Sequence, residues 1–258
     1  MKLTSKSILA IGTAIFAIAF TESGISAEGT ARWCLPAPFG LTNWWPGDGN
    51  ADDIVGGLDG ELLYGAKTRL ALVDQAFVLH GGGDDVGDFV DVPDSSALDF
   101  GTSDFTVNLW AFFNDPSTGE QVLIEKWIQD SGGWTLTKVG GDGEDNKIVL
   151  AGPVVEISSQ PVAIRAGTWT HFAATRRAGF ARIFMNGREI ASGSFPDNLD
   201  SSSSLKFGRR GDDRGFFLTG GIDEVQIFVG RALPQLVIWA IYEAGSRGMC
   251  KRGSNAAG

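Results

Sequence analysis

The sequence predicts an all-β protein of two antiparallel sheets packed face to face, with one short helix near the C-terminus. Three observations carry that expectation. Segments rich in Phe, Trp, Val and Ile recur at about eight- to twelve-residue spacing with turn residues between them, which is the pattern of a sandwich. Glycine reaches 36 of 258 residues while lysine is scarce, a balance that suits many tight turns better than long helices. Asn186-Gly187, flanked by strand-like runs, is the strongest hairpin signal, because both central turn residues must adopt positive φ.

The first residues read as an export signal. Lys2 and Lys6 precede an apolar run over 8–20, and small residues lead to a cleavage point near Ala27. That run is shorter than the roughly twenty residues a bilayer crossing needs, and no later stretch is apolar enough. The expected organisation is a signal peptide over 1–27, a lead-in over 28–40, one domain over 41–250 and a disordered tail over 251–258. The mature chain is expected to be secreted, extracellular or periplasmic, with no membrane span. The formal charge of -10 becomes one unit more negative when Lys2, Lys6 and Glu22 leave, so phosphate backbones are repelled and nucleic acid is excluded as a partner. Cys34 and Cys250 flank the domain. In an exported chain they are expected to be bridged, the alternative being two separate thiols; they are too few and too distant for zinc.

The opening stretch over 43–60, NWWPGDGNADDIVGGLDG, carries two adjacent tryptophans into a turn at Pro46 and Gly47 and then an acidic loop. Its oxygen donors are spaced partly like an EF-hand, but Asp53 stands where that turn needs glycine, and no helix precedes it. Strands follow at Gln75–His80 and 88–93. Phe105–Phe113 has two partly apolar faces, which marks a central strand. Further strands are expected at Gln121–Ile128, 134–139, Lys147–Ala151, 154–157, 168–175, Phe180–Met185, 188–191, 205–209 and 221–229. In the last, strict alternation puts Asp223 with Val225 and Ile227 on one face and Glu224 with Gln226 on the other. A helix over Gln235–Ala244 follows Pro234.

Five segments then fall in a recognisable order: WWPGDGNADDIVGG, AFVLHGGGDDVGDFVDVP, FTVNLWAFF, GTWTHFAATRRAGFARIFMNGREI and GGIDEVQIFVGRAL. The series resembles the laminin-G-like, or concanavalin A-like lectin/glucanase, jelly-roll domains of secreted bacterial proteins, over about 41–250. The resemblance implies terminal strands close together and a structural calcium between the first loop and the last strand. Asp48, Asn50, Asp53 and Asp223 are the positions it carries over. The alternative is that the first three form Asx turns and Asp223 accepts from loop amides. Asp84, Asp85 and Asp88 read as a solvated acidic turn.

The same fold houses glycosidases, yet the chain has no ExDxxE strand that would set two carboxylates about 5 Å apart. It has no GxSxG elbow, and the glycines over 140–143 lack the Lys-Ser/Thr of a phosphate cradle. His80 and His171 lie in strands, with His171 reading as a core histidine. The expectation is therefore a non-catalytic module that binds carbohydrate or an extracellular glycoprotein. The alternatives are a protein-binding adhesion or structural module without a sugar site, and an unrecognised glycosidase. Candidate contacts are Trp127 and Trp134, which flank the loop over 130–133, and Arg210, Phe216 and Phe217, in a loop with Arg209, Asp212 and Arg214. The competing fate of these aromatics is the core.

Overall fold

The computed structural model describes residues 34–82, 87–128, 132–141, 145–211 and 215–251. In chain order the strands are β1 (Asn43–Trp45), β2 (Glu61–Leu63), β3 (Lys67–Leu70), β4 (Gln75–His80), β5 (Phe89–Val92), β6 (Phe105–Phe113), β7 (Gln121–Ile128), β8 (Gly132–Val139), β9 (Lys147–Ala151), β10 (Glu156–Ser158), β11 (Trp169–Arg177), β12 (Phe180–Met185), β13 (Arg188–Ser194), β14 (Leu205–Phe207) and β15 (Thr219–Val229), with helix α1 over Gln235–Ala244. They form two antiparallel sheets, a jelly-roll sandwich. The first runs β13-β12-β11-β6-β15-β4-β3, with β1 added on β15; the second runs β10-β9-β8-β7-β14-β5-β2. The export signal expected over 1–27 and the acids Asp84, Asp85 and Asp212 lie outside the described residues.

The sheets enclose one core. Phe105, Val107, Leu109, Ala111 and Phe113 of β6 face it together with Trp45, Phe77, Phe172, Val225 and Ile227, against Val90, Ile124, Leu136, Leu205 and Phe207 of the opposite sheet. A second apolar layer covers the far side of the first sheet. Trp44, Ala173, Phe184 and Phe228 pack there beneath Ile238 and Ile241 of α1 and Met249. The first sheet is thus covered on both faces, which explains why β6 reads as apolar on both sides and lies between β11 and β15. At the Asn186-Gly187 turn φ is 50° and 73°, the left-handed pair that a two-residue hairpin requires.

Three strands were not legible. β1, β2 and β3 are three to four residues long, and β3 is mostly exposed at an edge, so none presents a measurable apolar period. The alternation read for β15 is also corrected. Register shifts between Asp223 and Gln226, and Glu224 takes a φ of 55°, so one extra residue is inserted as a β-bulge. Val225 and Ile227 keep the core face while Asp223, paired with Trp110, and Gln226, paired with Asn108, turn to the opposite face.

The chain closes on itself as the resemblance implied. β1 pairs with β15 (Asn43 with Ile227, Trp45 with Val225), and Cys34 is bonded to Cys250 across a sequence separation of 216. Leu35 and Met249 form a parallel bridge beside the disulfide. The expected tail over 251–258 needs one correction: Lys251 is held by acidic side chains, and only 252–258 lie outside the described residues.

Candidate functional site

The opening loop, the segment after Cys34 and the β15 bulge meet at one end of the sandwich. Asp53 organises the loop. Its Oδ1 accepts from the backbone N–H groups of Trp44 (2.8 Å), Val55 (3.1 Å) and Gly56 (2.9 Å), and its Oδ2 from Leu58 N–H (3.1 Å) and Asn43 Nδ2 (2.7 Å). Asn50 accepts from Asp52 N–H and donates to the Asp52 carboxylate at the exposed tip. Asp48 accepts from Gln75 N–H at 3.0 Å and pairs with the Lys251 ammonium.

The bulge puts two successive carboxyls on the same side of the first sheet. Glu224 Oε2 accepts from Trp44 Nε1 at 2.8 Å and Gln226 Nε2 at 3.3 Å, while Oε1 lies 3.0 Å from Lys251 Nζ. Asp223 Oδ2 accepts from Val73 N–H at 3.0 Å; its buried Oδ1 makes no hydrogen bond among the described residues. Burial, reinforced by the Glu224 charge, pushes the Asp223 carboxyl up to about 9. Burial also raises Glu224 to about 7, with Lys251 opposing it. From Gln226 the polar chain continues beneath α1: Asn108 Nδ2 donates to Gln226 Oε1 at 2.6 Å, and Asn108 Oδ1 bonds His171 Nε2. Burial drives His171 down to about 3, so it is neutral, and a carbonyl partner assigns the proton to Nε2.

The four calcium positions carried over by the resemblance are all engaged by protein donors. The Asp53 oxygens are occupied by five N–H donors, Asn50 is bonded within the tip, and the ammonium of Lys251 sits between Asp48 and Glu224. Among the described residues no group of three or more His, Cys, Asp and Glu side chains is arranged to hold a metal.

Above this cluster opens a cleft of about 490 Å³, lined by Phe39, Leu41, Trp44, Asp48, Asn50, Asp52, Ile54 and Lys251. Phe39 is 84% exposed and stands on its rim, with the Arg231 guanidinium 5.3 Å from its ring centre. A volume of this size, with aromatic walls and a few converging polar groups, has the makeup of a small-molecule site. Phe39, Trp44, Glu224 and Lys251 were not among the candidate site residues read from the sequence. The only available signal was positional, since a lysine directly after a bridged cysteine is carried with it to the opposite terminus.

The aromatic candidates elsewhere divide. Trp134 is not a platform: it is buried, with its ring stacked on Phe100 at 5.1 Å in the core. Trp127 is half-buried at the end of β7. Phe217 is wedged against Gly82, Gly87 and Gly215, where any Cβ would collide with its ring. Phe216 and Phe217 border a depression of about 310 Å³ with Glu120 and Gln121, and the Arg210 guanidinium lies 4.9 Å from the Phe216 ring centre. Arg210 also pairs with Glu120 and approaches Glu125 at 3.8 Å.

Glu125 lies on the outer face of the second sheet, almost wholly buried under Gly211, whose N–H it accepts. Burial raises its carboxyl from 4.5 to about 7. A raised folded-state value means the native state holds the proton more tightly, so the stabilisation is present at acid pH and lost as pH rises through about 7. His171 has the opposite sign, its stabilisation being lost as pH falls from about 6.5 towards 3. Glu125→Gln keeps the acceptor for Gly211 and removes the charge. Its melting temperature, followed from about pH 5 to 8, is expected to decline less steeply on the alkaline side than that of the unaltered protein.

Comparison with known proteins agrees with this architecture. A family model described as the concanavalin A-like lectin/glucanases superfamily matches residues 82–238. No curated protein matches the chain. Among solved structures, domain 4 of AbnA, a GH43 extracellular arabinanase from Geobacillus stearothermophilus in complex with arabinotriose, is similar at 20% identity and a TM-score of 0.63, over 78% of this chain and 97% of that one. The binding domain of Paraclostridial Mosquitocidal Protein 1 is similar at 17% identity and a TM-score of 0.61, over 79% of this chain and 52% of that one. The binding domain of botulinum neurotoxin DC in complex with rat synaptotagmin II gives 14% identity and a TM-score of 0.59, over 80% and 51%. The present chain therefore spans about half of each toxin chain. With a family model covering more than half its length and a matching two-sheet jelly roll, the chain belongs to the concanavalin A-like lectin/glucanase superfamily.

Proposed function

We propose that this protein is an exported, non-catalytic binding module that takes carbohydrate, free or on an extracellular glycoprotein, in the cleft over the β15 bulge. One observation carries the reading: exposed Phe39 and the largely buried Trp44 line, together with Asp48, Asn50 and Asp52, a cleft of about 490 Å³. Aromatic rings stack on the apolar faces of sugars, and carboxylate and amide groups take their hydroxyls. The disulfide supports an oxidising, extracytoplasmic destination. Binding rather than cleavage is supported by the state of the two adjacent carboxyls. Asp223 is fully buried, and the Glu224 side chain is 3% exposed and engaged by Trp44, Gln226 and Lys251, which leaves neither to flank a glycosidic bond. Similarity to an arabinanase domain crystallised with arabinotriose is compatible with a sugar ligand.

A glycan array is the direct test. Binding to a defined set of glycans is expected, weakened about tenfold or more by Phe39→Ala and by the double change Asn50→Ala, Asp52→Ala, with the melting temperature of each variant nearly unchanged. A silent array would favour a protein-only partner. Release of reducing ends from mixed polysaccharides would establish a glycosidase instead.

A further inference from the structure

We infer that the ammonium of Lys251 is a built-in cation at the junction of the opening loop and closing strand, and that it makes this fold independent of the calcium its family resemblance leads one to expect. The inference concerns what holds the cleft's floor together and does not require a sugar to bind. Three independent features converge on Lys251.

The first is the shell. Lys251 Nζ pairs with Asp48 Oδ2, lies 3.0 Å from Glu224 Oε1 and 3.8 Å from Asp74 Oδ2, and sits 6.0 Å from the centre of the Trp44 ring. Carboxylates from the opening loop, the loop before β4 and the closing strand thus meet on one charge, as they would on a metal ion. The second is Asp223. It is buried beside this cluster and feels Glu224, Lys251 and Asp48, and among the described residues its Oδ1 makes no hydrogen bond. An oxygen left over in this way belongs to a shell with more acceptors than one lysine, with its few donors, can engage. The third is delivery. Lys251 directly follows Cys250, whose N–H bonds the Leu35 carbonyl at 2.8 Å and whose sulfur is tied to Cys34, so the ammonium arrives from the C-terminal end on a covalently fixed backbone.

A metal would serve the same neighbours through direct oxygen ligation, and it cannot share the position with an ammonium. The chain therefore has a fixed +1 charge where calcium would carry +2.

The test uses the full, oxidised chain without sugar, melted in excess chelator and again in millimolar calcium. The unaltered protein and Lys251→Arg are expected to melt at the same temperature in both. Lys251→Met is expected to melt roughly 10 °C lower in chelator, because Asp48 and Glu224 lose their counter-charge, and to recover several degrees in calcium. Should Lys251→Met fail to fold, the double variant Lys251→Met, Glu224→Gln is expected to fold and to ignore calcium. A drop in melting temperature when the unaltered protein meets chelator would overturn the inference. So would a Lys251→Met protein as stable as the parent, or one that calcium does not rescue, or a double variant that still needs the ion. Loss of glycan binding with these melting results intact would count against the sugar reading alone.

Discussion

Replacing Cys34 and Cys250 together by serine is expected to lower the melting temperature by about 15 °C, the larger of two strong effects anticipated for this fold. The bond closes a loop across a sequence separation of 216. For a loop of that length the chain-entropy treatment gives about 5 kcal/mol, an upper figure, and a domain of this size shifts about 2–4 °C per kcal/mol. The bridge also holds Leu35 against Met249 and brings Lys251 to Asp48 and Glu224. Its loss should therefore free both termini before the sandwich itself melts. Thermal denaturation of the serine variant, and of the parent protein after reduction, would check this. A shift of only two or three degrees in both would mean that pairing of β1 with β15 suffices to hold the ends.

Asp53→Ala is expected to cost roughly 4 kcal/mol, or on the order of 10 °C in melting temperature. The aspartate accepts from Asn43, Trp44, Val55, Gly56 and Leu58, and it is nearly buried at 4% exposure. Alanine would strand several of these donors away from water, which is more costly than losing an ordinary surface hydrogen bond. Gly56 cannot give way, because a Cβ there would lie 2.6 Å from the Asp53 carboxylate; the turn and the acid are fitted to each other. Because this role is hydrogen bonding rather than ligation, the loss should be the same in chelator and in calcium. A calcium-dependent loss in Asp53→Ala would contradict that account.

Much of the fold was legible because its signals are local. Phe105–Phe113 announces a strand buried on both faces, Asn186-Gly187 announces a hairpin, and Pro234 before an apolar stretch announces α1. The site was legible only in outline. The family resemblance placed the acidic opening loop beside the last strand, which the pairing of β1 with β15 supports. Sequence order could not reveal the bulge at Glu224, because alternation assumes a period of two, and one inserted residue turns Asp223 away from Val225 and Ile227. Nor could it tell a carboxylate that accepts from the backbone from one that ligates metal, since both occur in short loops rich in Asp, Asn and Gly. Trp134 illustrates the same limit for aromatics. A ring beside a hairpin loop is chemically fit for a sugar platform, and only its stacking on Phe100 assigns it to the interior.

The meeting of Cys34 with Cys250 has a geometric corollary for the cleft. Cys34 and Lys251, the first and last described residues, stand at a single pole, and that pole is also where Phe39, Trp44 and Asp52 border the mouth of the cleft. Joining the ends and shaping the mouth are therefore one structural task, so whatever loosens the bridge also reaches the opening.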